Sequence, residues 1–353
     1  MVAIDKNKPV CVTGASGYIA SWIVKDLLDQ GFLVHATVRD SSKASSVAHL
    51  WKLAEGARGT LKLFDANLIE PGSFKAAIDG CELVIHTASP FVIKGITDPY
   101  EALIRPAVEG TENVLSSCND VGTVRRVVLT SSVASIYGDA VEILNTPGGI
   151  FTEQLWNNTS SDSHQPYSYS KVMAERKAWE ICKNQSRWDL VTINPSLVMG
   201  PSLTTQTQST SIDVMRDLGS GRQRTGVPML EFGVVDVREV AKAHVLAGFS
   251  PRAEGRYILS AHTASLLQMA TILRTRFPKY PFPTKELPKF LVKLVAPIAA
   301  GVSRAFIQKN VGYRLSFDNS RSIELLGIKY RPLIETLCDH FAQMIDDGLL
   351  KRR

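Results

Sequence analysis

The stretch VCVTGASGYIASWIVKDLLDQG, residues 10–31, opens as an apolar strand and continues, after a run of small residues, as an amphipathic helix. Gly14 falls where the strand must turn sharply, Gly17 lets backbone N–H groups approach a bulky group, and Ala20 lets the helix lie close to the strand. A helix N-terminus offers unpaired N–H donors and the positive end of its dipole, so this turn suits a pyrophosphate. The predicted contacts of the turn are Gly14, Ser16, Gly17, Tyr18 and Ile19. An ordinary strand-to-helix turn has the same spacing, so the rest of the chain must decide.

The composition is that of a globular protein of 353 residues, 44% of them hydrophobic and 21% charged. A chain of this length can form one large α/β domain, or one domain with a smaller appendage. The net charge of +6 would suit an anionic ligand. However, the cations are scattered among acids, and the dense run is the C-terminal LLKRR, which is typical of a solvated end. We therefore expect no nucleic-acid partner, and no metal site.

Cysteine usage and the apolar segments indicate a cytoplasmic protein without a membrane span. The five cysteines are widely spaced without C-x-x-C pairs, which is typical of reduced thiols. The first residues lack the basic-then-apolar order of a secretory signal, so the sequon-like Asn158-Thr159-Ser160 is expected to be a chance match. The most apolar segment, Phe290 to Phe306, is interrupted by Lys293, Pro297 and Arg304 and falls short of roughly 20 apolar residues. We expect it to form a buried or pocket-lining helix.

Strand-like apolar runs alternate with helix-period segments along the first 195 residues. This alternation, with continuous apolar strands, predicts a doubly wound parallel sheet of the Rossmann type covered by helices on both faces. After Gly200 the pattern changes to the polar loop PSLTTQTQSTS and then to a mixture of helices and short strands. The predicted strands are Val10–Thr13, Phe32–Val38, Leu61–Phe64, Leu83–Thr87, Val127–Thr130, Leu190–Asn194, Phe232–Val235 and Arg256–Ser260, and the predicted helices are 18–30, 100–118 and 167–183.

The end of the second strand, ATVRDSSK, favours NADP as the cofactor. In a dinucleotide fold this end meets the adenosine ribose, where an arginine pairs with a 2′-phosphate and an acid accepts from a free 2′-hydroxyl. Arg39, with Ser41 and Lys43 just beyond it, favours the phosphorylated cofactor. The alternative is that Arg39 stacks on adenine while Asp40 holds the ribose of NAD.

Two further strand ends carry candidate cofactor contacts. Asn67, after the third strand, could hydrogen-bond the adenine amine or could be a solvated loop residue. In HTASP, at the end of the fourth strand, Ala88 and Ser89 are small enough to let a ring approach closely, whereas we interpret His86 as a core histidine. The other predicted cofactor contacts are Leu68, Thr87 and Thr130.

The strongest chemical signal is YSYSK. Tyr167 and Lys171 are four residues apart in a helical stretch, so both side chains lie on one face. A neighbouring ammonium stabilises a phenolate and lowers its pKa from about 10, which would make Tyr167 a usable proton donor. Upstream, in LTSSVAS, a hydroxyl can steady a substrate oxygen. We choose Ser132 for this role, with Ser131 as the alternative.

Taken together, these motifs resemble the extended short-chain dehydrogenase/reductases, and within them the dihydroflavonol-reductase-like group, with its cinnamoyl-CoA reductases and microbial aldehyde and ketone reductases. The resemblance covers nearly the whole chain through VTGASGYIAS, ATVRD, HTASP, PAVEGTENVL, LTSSVAS, YSYSK, NPSLVMGP, VDVREVAKAH and GRYILS. It implies a catalytic triad of Ser132, Tyr167 and Lys171, with Lys171 also holding the nicotinamide ribose. It further implies that Pro195 and Val198 lie beside the nicotinamide.

Two departures from the family pattern affect the expected substrate and cofactor pockets. Tyr137 stands where the plant flavonoid enzymes have asparagine, five residues after the catalytic serine, which argues against flavonoid recognition. Asn67 stands where aspartate is usual. The expected substrate contacts are Ser132, Tyr137 and Tyr167.

The sequence therefore predicts an NADPH-dependent reductase of small-molecule aldehydes or ketones. A nucleotide-sugar epimerase or dehydratase shares fold and triad, but its diphosphate calls for clustered cations, whereas Arg216, Arg222 and Arg224 are scattered. A non-catalytic NADP-binding sensor is the third alternative. We expect residues 1–195 to form an NADP-binding Rossmann domain and residues 196–353 to be mainly substrate-binding, with some later strands returning to the main sheet. Monomer and homodimer are both open.

Overall fold

The computed structural model describes residues 3–90, 98–204 and 209–352, with the backbone alone for residues 298–300. Its strands are β1 (Val10–Thr13), β2 (Leu33–Val38), β3 (Thr60–Asp65), β4 (Leu83–His86), β5 (Arg126–Thr130), β6 (Asp189–Pro195), β7 (Leu197–Met199), β8 (Val227–Pro228), β9 (Glu231–Asp236), β10 (Gly255–Leu259), β11 (His262–Ser265) and β12 (Glu286–Leu287). Its α-helices are α1 (Tyr18–Asp29), α2 (Ala44–Ala54), α3 (Lys75–Ile78), α4 (Arg105–Val121), α5 (Pro166–Lys183), α6 (Thr210–Ser220), α7 (Val237–Phe249), α8 (Leu266–Arg276), α9 (Lys289–Ala300), α10 (Arg304–Asn310), α11 (Ser320–Glu324) and α12 (Leu333–Asp346). A π-helical segment, Tyr100–Ile104, leads into α4, and short 3₁₀ turns cover Val133–Ser135, Ala140–Asn145 and Pro147–Gly149.

Seven strands form one parallel sheet in the order β10-β6-β5-β4-β1-β2-β3. One face packs on α1, α2 and α7, and the other on α3, α4 and α5. Strands that are covered on both faces are largely apolar, and β1 and β4 are buried throughout, with Thr13 and His86 as the polar residues at their carboxyl ends. The strand order reverses between β1 and β4, and the carboxyl ends of these strands are where an open α/β sheet binds its ligand. The predicted doubly wound Rossmann fold is confirmed.

The second half of the chain forms two smaller sheets, β11-β9-β7 and β12-β8, around a separate apolar core. That core joins α6, α8 and α12 through residues such as Met215, Met269 and Phe341. The strand β10 lies in the second half of the chain but pairs in parallel with β6 of the main sheet. This return fits the predicted division at residues 195 and 196, which stays a prediction. Residues 205–208 of the predicted polar loop lie outside the described residues.

The prediction of one buried helix over residues 290–306 is wrong. The segment forms α9 and α10, separated at Gly301, which has a φ of +64°. Phe290, Leu294 and Val295 are 64%, 60% and 57% exposed, while Val292 is buried in a small cluster with α10. The sequence shows that the segment is apolar. Whether its side chains are buried depends on which other elements pack against it in the tertiary structure. Among the described residues, no helix is long and apolar enough to cross a membrane.

Candidate active site

The glycine turn after β1 is shaped by a close contact with the end of β4. Gly14 has a φ of +66°, and a Cβ at this position would lie 2.9 Å from the Cα of Ala88. The helix α1 then begins with Gly17 as its N-cap, without a capping side chain and without an acidic residue in the first turn. The N–H of Gly17 donates to the carbonyl of Gly14 at 2.9 Å, so within the described part of the chain the donors that this turn offers to an anion are the N–H groups of Ser16, Tyr18 and Ile19.

At the carboxyl end of β2, Arg39 and Lys43 are exposed. The neighbouring Asp40 carboxylate accepts hydrogen bonds from the hydroxyl and the backbone N–H of Ser42 at 2.6 and 3.0 Å. These bonds hold the pKa of Asp40 below its ordinary value. The carboxylate of Asp40 is thus hydrogen-bonded within the loop that follows β2.

The remaining predicted adenine-side residues occupy the loop after β3. Asn67 is exposed, and its Oδ1 accepts from the backbone N–H of Ile69 at 3.3 Å. Leu68 packs so closely on α4 that a Cβ at Gly110 would lie 2.9 Å from its Cδ2. Asn113 of α4 donates to the carbonyls of Asn67 and Leu68, at 3.3 and 3.1 Å, which fixes the loop.

Two threonines predicted as cofactor contacts make internal hydrogen bonds. The Thr87 hydroxyl donates to the carbonyl of Thr13, and the Thr130 hydroxyl lies 2.7 Å from Nε2 of His244. His86 is buried, with Nδ1 2.8 Å from the Thr13 hydroxyl, and burial lowers its pKa to about 3. It is the core histidine that the sequence indicates.

The helix α5 and the end of β5 bring the three predicted triad residues together. The backbone reaches Pro166 through Gln165, which has a φ of +56°. The Tyr167 hydroxyl is hydrogen-bonded to the hydroxyl of Ser132. Lys171 Nζ lies 5.9 Å from the centroid of the Tyr167 ring and donates to Ser89 Oγ at 3.1 Å.

The pKa shifts at this cluster differ from the sequence-based expectation. Burial raises the pKa of Tyr167, and the hydrogen bond from Ser132 only partly opposes this. Burial lowers the pKa of Lys171 to about 8, against the opposing charge of Glu175. The net lowering expected for the pKa of Tyr167 is not found here, because the Lys171 ammonium is directed at Ser89 and desolvation dominates the shift.

The two candidate serines have different surroundings. Ser132 is partly exposed, and its Oγ accepts from the backbone N–H of Ala134 at 3.1 Å and lies 3.5 Å from the carbonyl of Pro195. Ser131 is buried and donates its hydroxyl to the carboxylate of Glu175. Pro195 ends β6 and is buried, while Val198 in β7 pairs with Val235 of β9. The geometry thus brings Ser132, and not Ser131, to Tyr167.

Tyr137 lies in an aromatic cluster after the loop that carries Ser132. Its ring stacks on Phe151 with centroids 4.4 Å apart and an interplanar angle of 17°, and it tilts against Phe317 at 5.7 Å. Burial raises the pKa of its hydroxyl. A ring held on two sides in this way presents a fixed, largely apolar wall.

Sequence reasoning missed a buried polar network behind the serine. It joins Ser131, Ser135, Glu175, Asn194 and Arg256. The available signal was the spacing of Glu175, four residues after Lys171 and eight after Tyr167, which puts all three on one helix face. Its partner Arg256 is 81 residues away in the chain, so the pair has no local signature.

A doubly wound parallel sheet with a glycine turn at its switch point is a dinucleotide-binding fold, and in this chain a serine, a tyrosine and a lysine lie beside that point. Residues 10–258 match the model of the NAD dependent epimerase/dehydratase family. The chain belongs to this family, and the predicted membership of the extended short-chain dehydrogenase/reductases is confirmed.

The relatives are reductases. The chain is 37% identical over 343 residues to tetraketide alpha-pyrone reductase 1 of Arabidopsis thaliana, covering 97% of this chain and 96% of the relative. It is 40% identical over 335 residues to a cinnamoyl-CoA reductase of Medicago truncatula, covering 94% of each. The structure of the yeast methylglyoxal/isovaleraldehyde reductase Gre2, solved with NADPH, matches with a TM-score of 0.79 at 27% identity, over 96% of this chain and 99% of that one. These likenesses place the protein among the oxidoreductases of the family.

Proposed function

We propose that this protein is an NADPH-dependent carbonyl reductase that converts aldehydes or ketones into alcohols. The observation that carries the proposal is the hydrogen bond between the Tyr167 and Ser132 hydroxyls, with Lys171 one helical turn along α5. This group lies at the carboxyl edge of the sheet, on the side where β4 meets the glycine turn. The reductase relatives with near-complete coverage support the same class of reaction.

The residues present fit a dinucleotide. The turn from Gly14 to Ile19 leaves the start of α1 open to a pyrophosphate, and the contact of Gly14 with Ala88 leaves no space for a larger side chain. Arg39 is exposed while Asp40 is engaged by Ser42, which favours a 2′-phosphate at this strand end over a free ribose. We assign further contacts to Lys43, Asn67, Leu68, Thr87, Ser89, Thr130, Pro195 and Val198.

The bound cofactor would supply a hydride to the carbonyl carbon. Tyr167 then donates its hydroxyl proton to the carbonyl oxygen, which becomes basic as the hydride reaches the carbonyl carbon. Ser132 donates a second hydrogen bond to the same oxygen and orients it. Lys171 holds the ribose and stabilises the phenolate that the proton transfer leaves behind.

The substrate side of the site favours an apolar carbonyl compound. We propose that Tyr137, stacked on Phe151, is a wall of the substrate pocket. Burial of apolar surface there would stabilise the complex by about 25 cal/mol for each Å². We do not assign the exposed face of α9 to this pocket, because its apolar side chains Phe290, Leu294 and Val295 point away from the protein core.

The same observations disfavour a nucleotide-sugar enzyme. Arg216 is paired with Asp213 at 2.8 Å, and Arg222 with Asp217 at 3.0 Å. A diphosphate would have to compete with these carboxylates for both guanidinium groups. A non-catalytic sensor does not require the hydroxyl pair of Ser132 and Tyr167.

The experiment is NADPH oxidation at 340 nm with a substrate panel. The panel contains methylglyoxal, isovaleraldehyde, a series of aliphatic and aryl aldehydes, cinnamoyl-CoA, a tetraketide pyrone, dihydroquercetin and UDP-sugars. We expect turnover of the carbonyl compounds, with kcat/KM rising with apolar chain length by at most roughly 1–3 kcal/mol for each methylene. An epimerase or dehydratase regenerates its cofactor in each turnover and leaves the absorbance at 340 nm unchanged, so conversion of UDP-sugars is followed by chromatography of the products. Conversion of UDP-sugars alone would establish the epimerase or dehydratase. Tight NADPH binding with no turnover would establish the sensor, and a strong preference for the flavonoid would overturn the role of Tyr137.

We further propose a cytoplasmic location. All five cysteines are free and three are buried, which fits a reducing compartment. Localisation of the tagged full chain by microscopy tests this. Recovery in a secretory compartment would contradict it.

A further inference from the structure

The carboxylate of Glu175 is completely buried and saturated with hydrogen bonds. Its Oε1 lies 2.7 Å from Arg256 Nε, and its Oε2 accepts from Asn194 Nδ2 at 2.9 Å. The hydroxyls of Ser131 and Ser135 also donate to Oε2. Burial by itself raises the pKa of Glu175, but Arg256 and these hydrogen bonds hold it below its ordinary value, so the group is an anion. A buried ion pair of this kind contributes little net stability, because the cost of desolvating both charges offsets their attraction.

The groups that hold Glu175 also hold the backbone of Ser132. The two hydrogens of Asn194 Nδ2 bridge the Glu175 carboxylate and the carbonyl of Ser132, which it contacts at 3.2 Å. Ser135 Oγ lies 2.5 Å from the same carboxylate and 2.7 Å from the same carbonyl, so its single hydroxyl proton is shared between these two acceptors. A single side chain, either Asn194 or Ser135, therefore connects Glu175 to Ser132, the residue that contacts Tyr167.

Glu175 lies on the same face of α5 as Tyr167 and Lys171, one turn after the lysine. The helix that carries the proton donor therefore also carries the anion that fixes the serine loop. The charge acts on Lys171 as well. The described charged and titratable groups on this side of the site are Tyr167 and Glu175 of the same helix, the Arg256 cation of β10 that pairs with Glu175, and His86 of β4, which is neutral at physiological pH.

We infer that Glu175, anchored by Arg256, is a positioning residue of the active site: it fixes Ser132 against Tyr167 and supplies the negative charge that faces Lys171. The inference rests on the proposed reductase function. It adds to that function a residue that touches neither substrate nor cofactor. Two effects follow, one on the geometry of the hydroxyl pair and one on the protonation of Lys171.

The test compares four variants of the full chain in the NADPH oxidation assay across pH. Glu175→Gln keeps the size of the side chain and removes the charge. We expect kcat to fall about 10- to 100-fold, because a small misplacement of reacting groups has effects of this order. Without the anion the ammonium of Lys171 is less stable, so the alkaline limb of the kcat profile should move to lower pH by about one unit.

Ser135→Ala and Glu175→Asp separate the two effects. Ser135→Ala removes one link to Ser132 without changing a charge, so kcat should fall while the alkaline limb stays in place. Glu175→Asp keeps the charge and shortens the side chain, with the same expected pattern. Both variants also keep Arg256 next to a carboxylate, so they carry the test if Glu175→Gln does not fold.

Asp189→Asn is the matched control. It removes the charge from another carboxylate that pairs with a buried arginine, Arg126, at the opposite end of the sheet. The melting temperature should fall, but kcat and the alkaline limb should remain those of the wild type. Equal effects of Asp189→Asn and Glu175→Gln on kcat and pH profile would overturn the inference, since a general loss of stability would then explain both.

Tyr167→Phe distinguishes failure of the Glu175 inference from failure of the proposed reductase function. If Tyr167→Phe is inactive while Ser135→Ala, Glu175→Asp and any folded Glu175→Gln have the wild-type kcat and pH profile, the inference about Glu175 is wrong and the reductase assignment stands. If Tyr167→Phe retains the wild-type rate, the proposed function itself is wrong.

Discussion

Two buried arginines pair with carboxylates at different heights of the same sheet. Arg126 pairs with Asp189 through two contacts of 2.7 Å, joining the first residues of β5 and β6. Arg256 pairs with Glu175 at 2.7 Å and joins β10 to α5, toward the carboxyl edge. Both guanidinium groups are desolvated, with Arg126 and Arg256 only 1% and 8% exposed.

The partners of the two pairs differ. The Arg126 guanidinium also donates to the carbonyls of Ala247, Ser250 and Ala253, which closes the turn after α7, and the Asp189 side chain remains 38% exposed. Glu175 is not exposed, and its other partners are hydroxyls and an amide that reach Ser132. In an open α/β sheet the carboxyl edge binds the ligand and the amino edge does not. We therefore expect the same type of interaction to stabilise the fold at the amino edge and to position the site at the carboxyl edge.

The largest expected effect lies at the carboxyl edge. Tyr167→Phe removes the proton donor, and general acid catalysis contributes about 10²–10⁴-fold, so kcat should fall in this range or further. Steady-state kinetics with a good aldehyde substrate measure this, with NADPH affinity by fluorescence and urea unfolding as controls. Both controls should remain close to wild type. A large loss of stability would mean that Tyr167, at the carboxyl edge, contributes to the stability of the fold as well as to catalysis.

The next effect belongs to the amino edge. Arg126→Met leaves Asp189 without its cation and removes the donor from three carbonyls. Because Asp189 is partly exposed, we expect a loss in the free energy of unfolding of about 2–4 kcal/mol, below the upper end for a fully buried pair. Urea unfolding gives this value. The kcat of the folded enzyme should be unchanged, and a tenfold fall in kcat would show that the two edges are coupled.

A smaller effect tests an exposed cation at the carboxyl edge. Arg39→Ala should raise the KM for NADPH about 10- to 100-fold, since a charge-assisted contact contributes roughly 1.5–3 kcal/mol. The KM for NADH should change far less, because that cofactor has no 2′-phosphate. Lys52→Ala, at an exposed position on α2, is a control for the change in net charge. Parallel increases for both cofactors would contradict the NADP assignment.

The smallest expected effect is a loss of stability caused by buried histidines, which appears only below neutral pH. Burial lowers the pKa of His86 to about 3, and those of His244 and His340 to about 4. The unfolded chain binds these protons near pH 6.5 and the folded chain does not, so stability should fall as the pH drops from about 6.5 to 4. Melting temperatures across this range measure the slope. His244→Gln should flatten it, and an unchanged slope would show that His244 is not one of its sources.

Local patterns were sufficient for the seven strands of the main sheet, the glycine turn and the spacing of Tyr167 and Lys171. A parallel strand buried on both faces is apolar at most positions, and a helix repeat of 3.6 residues fixes which side chains share a face. These constraints act between residues that are close in the chain, so the sequence alone predicts their outcome.

The tertiary structure decided what depends on contacts between distant segments. It brought Ser132 to Tyr167 and left Ser131 buried on Glu175, a choice that two adjacent serines cannot reveal. It left Phe290 and Leu294 of an apolar segment in solvent, because that helix packs on one side only. It also joined Glu175 to an arginine 81 residues away. Burial and pairing at such distances depend on how the elements pack, and no local pattern in the sequence encodes that packing.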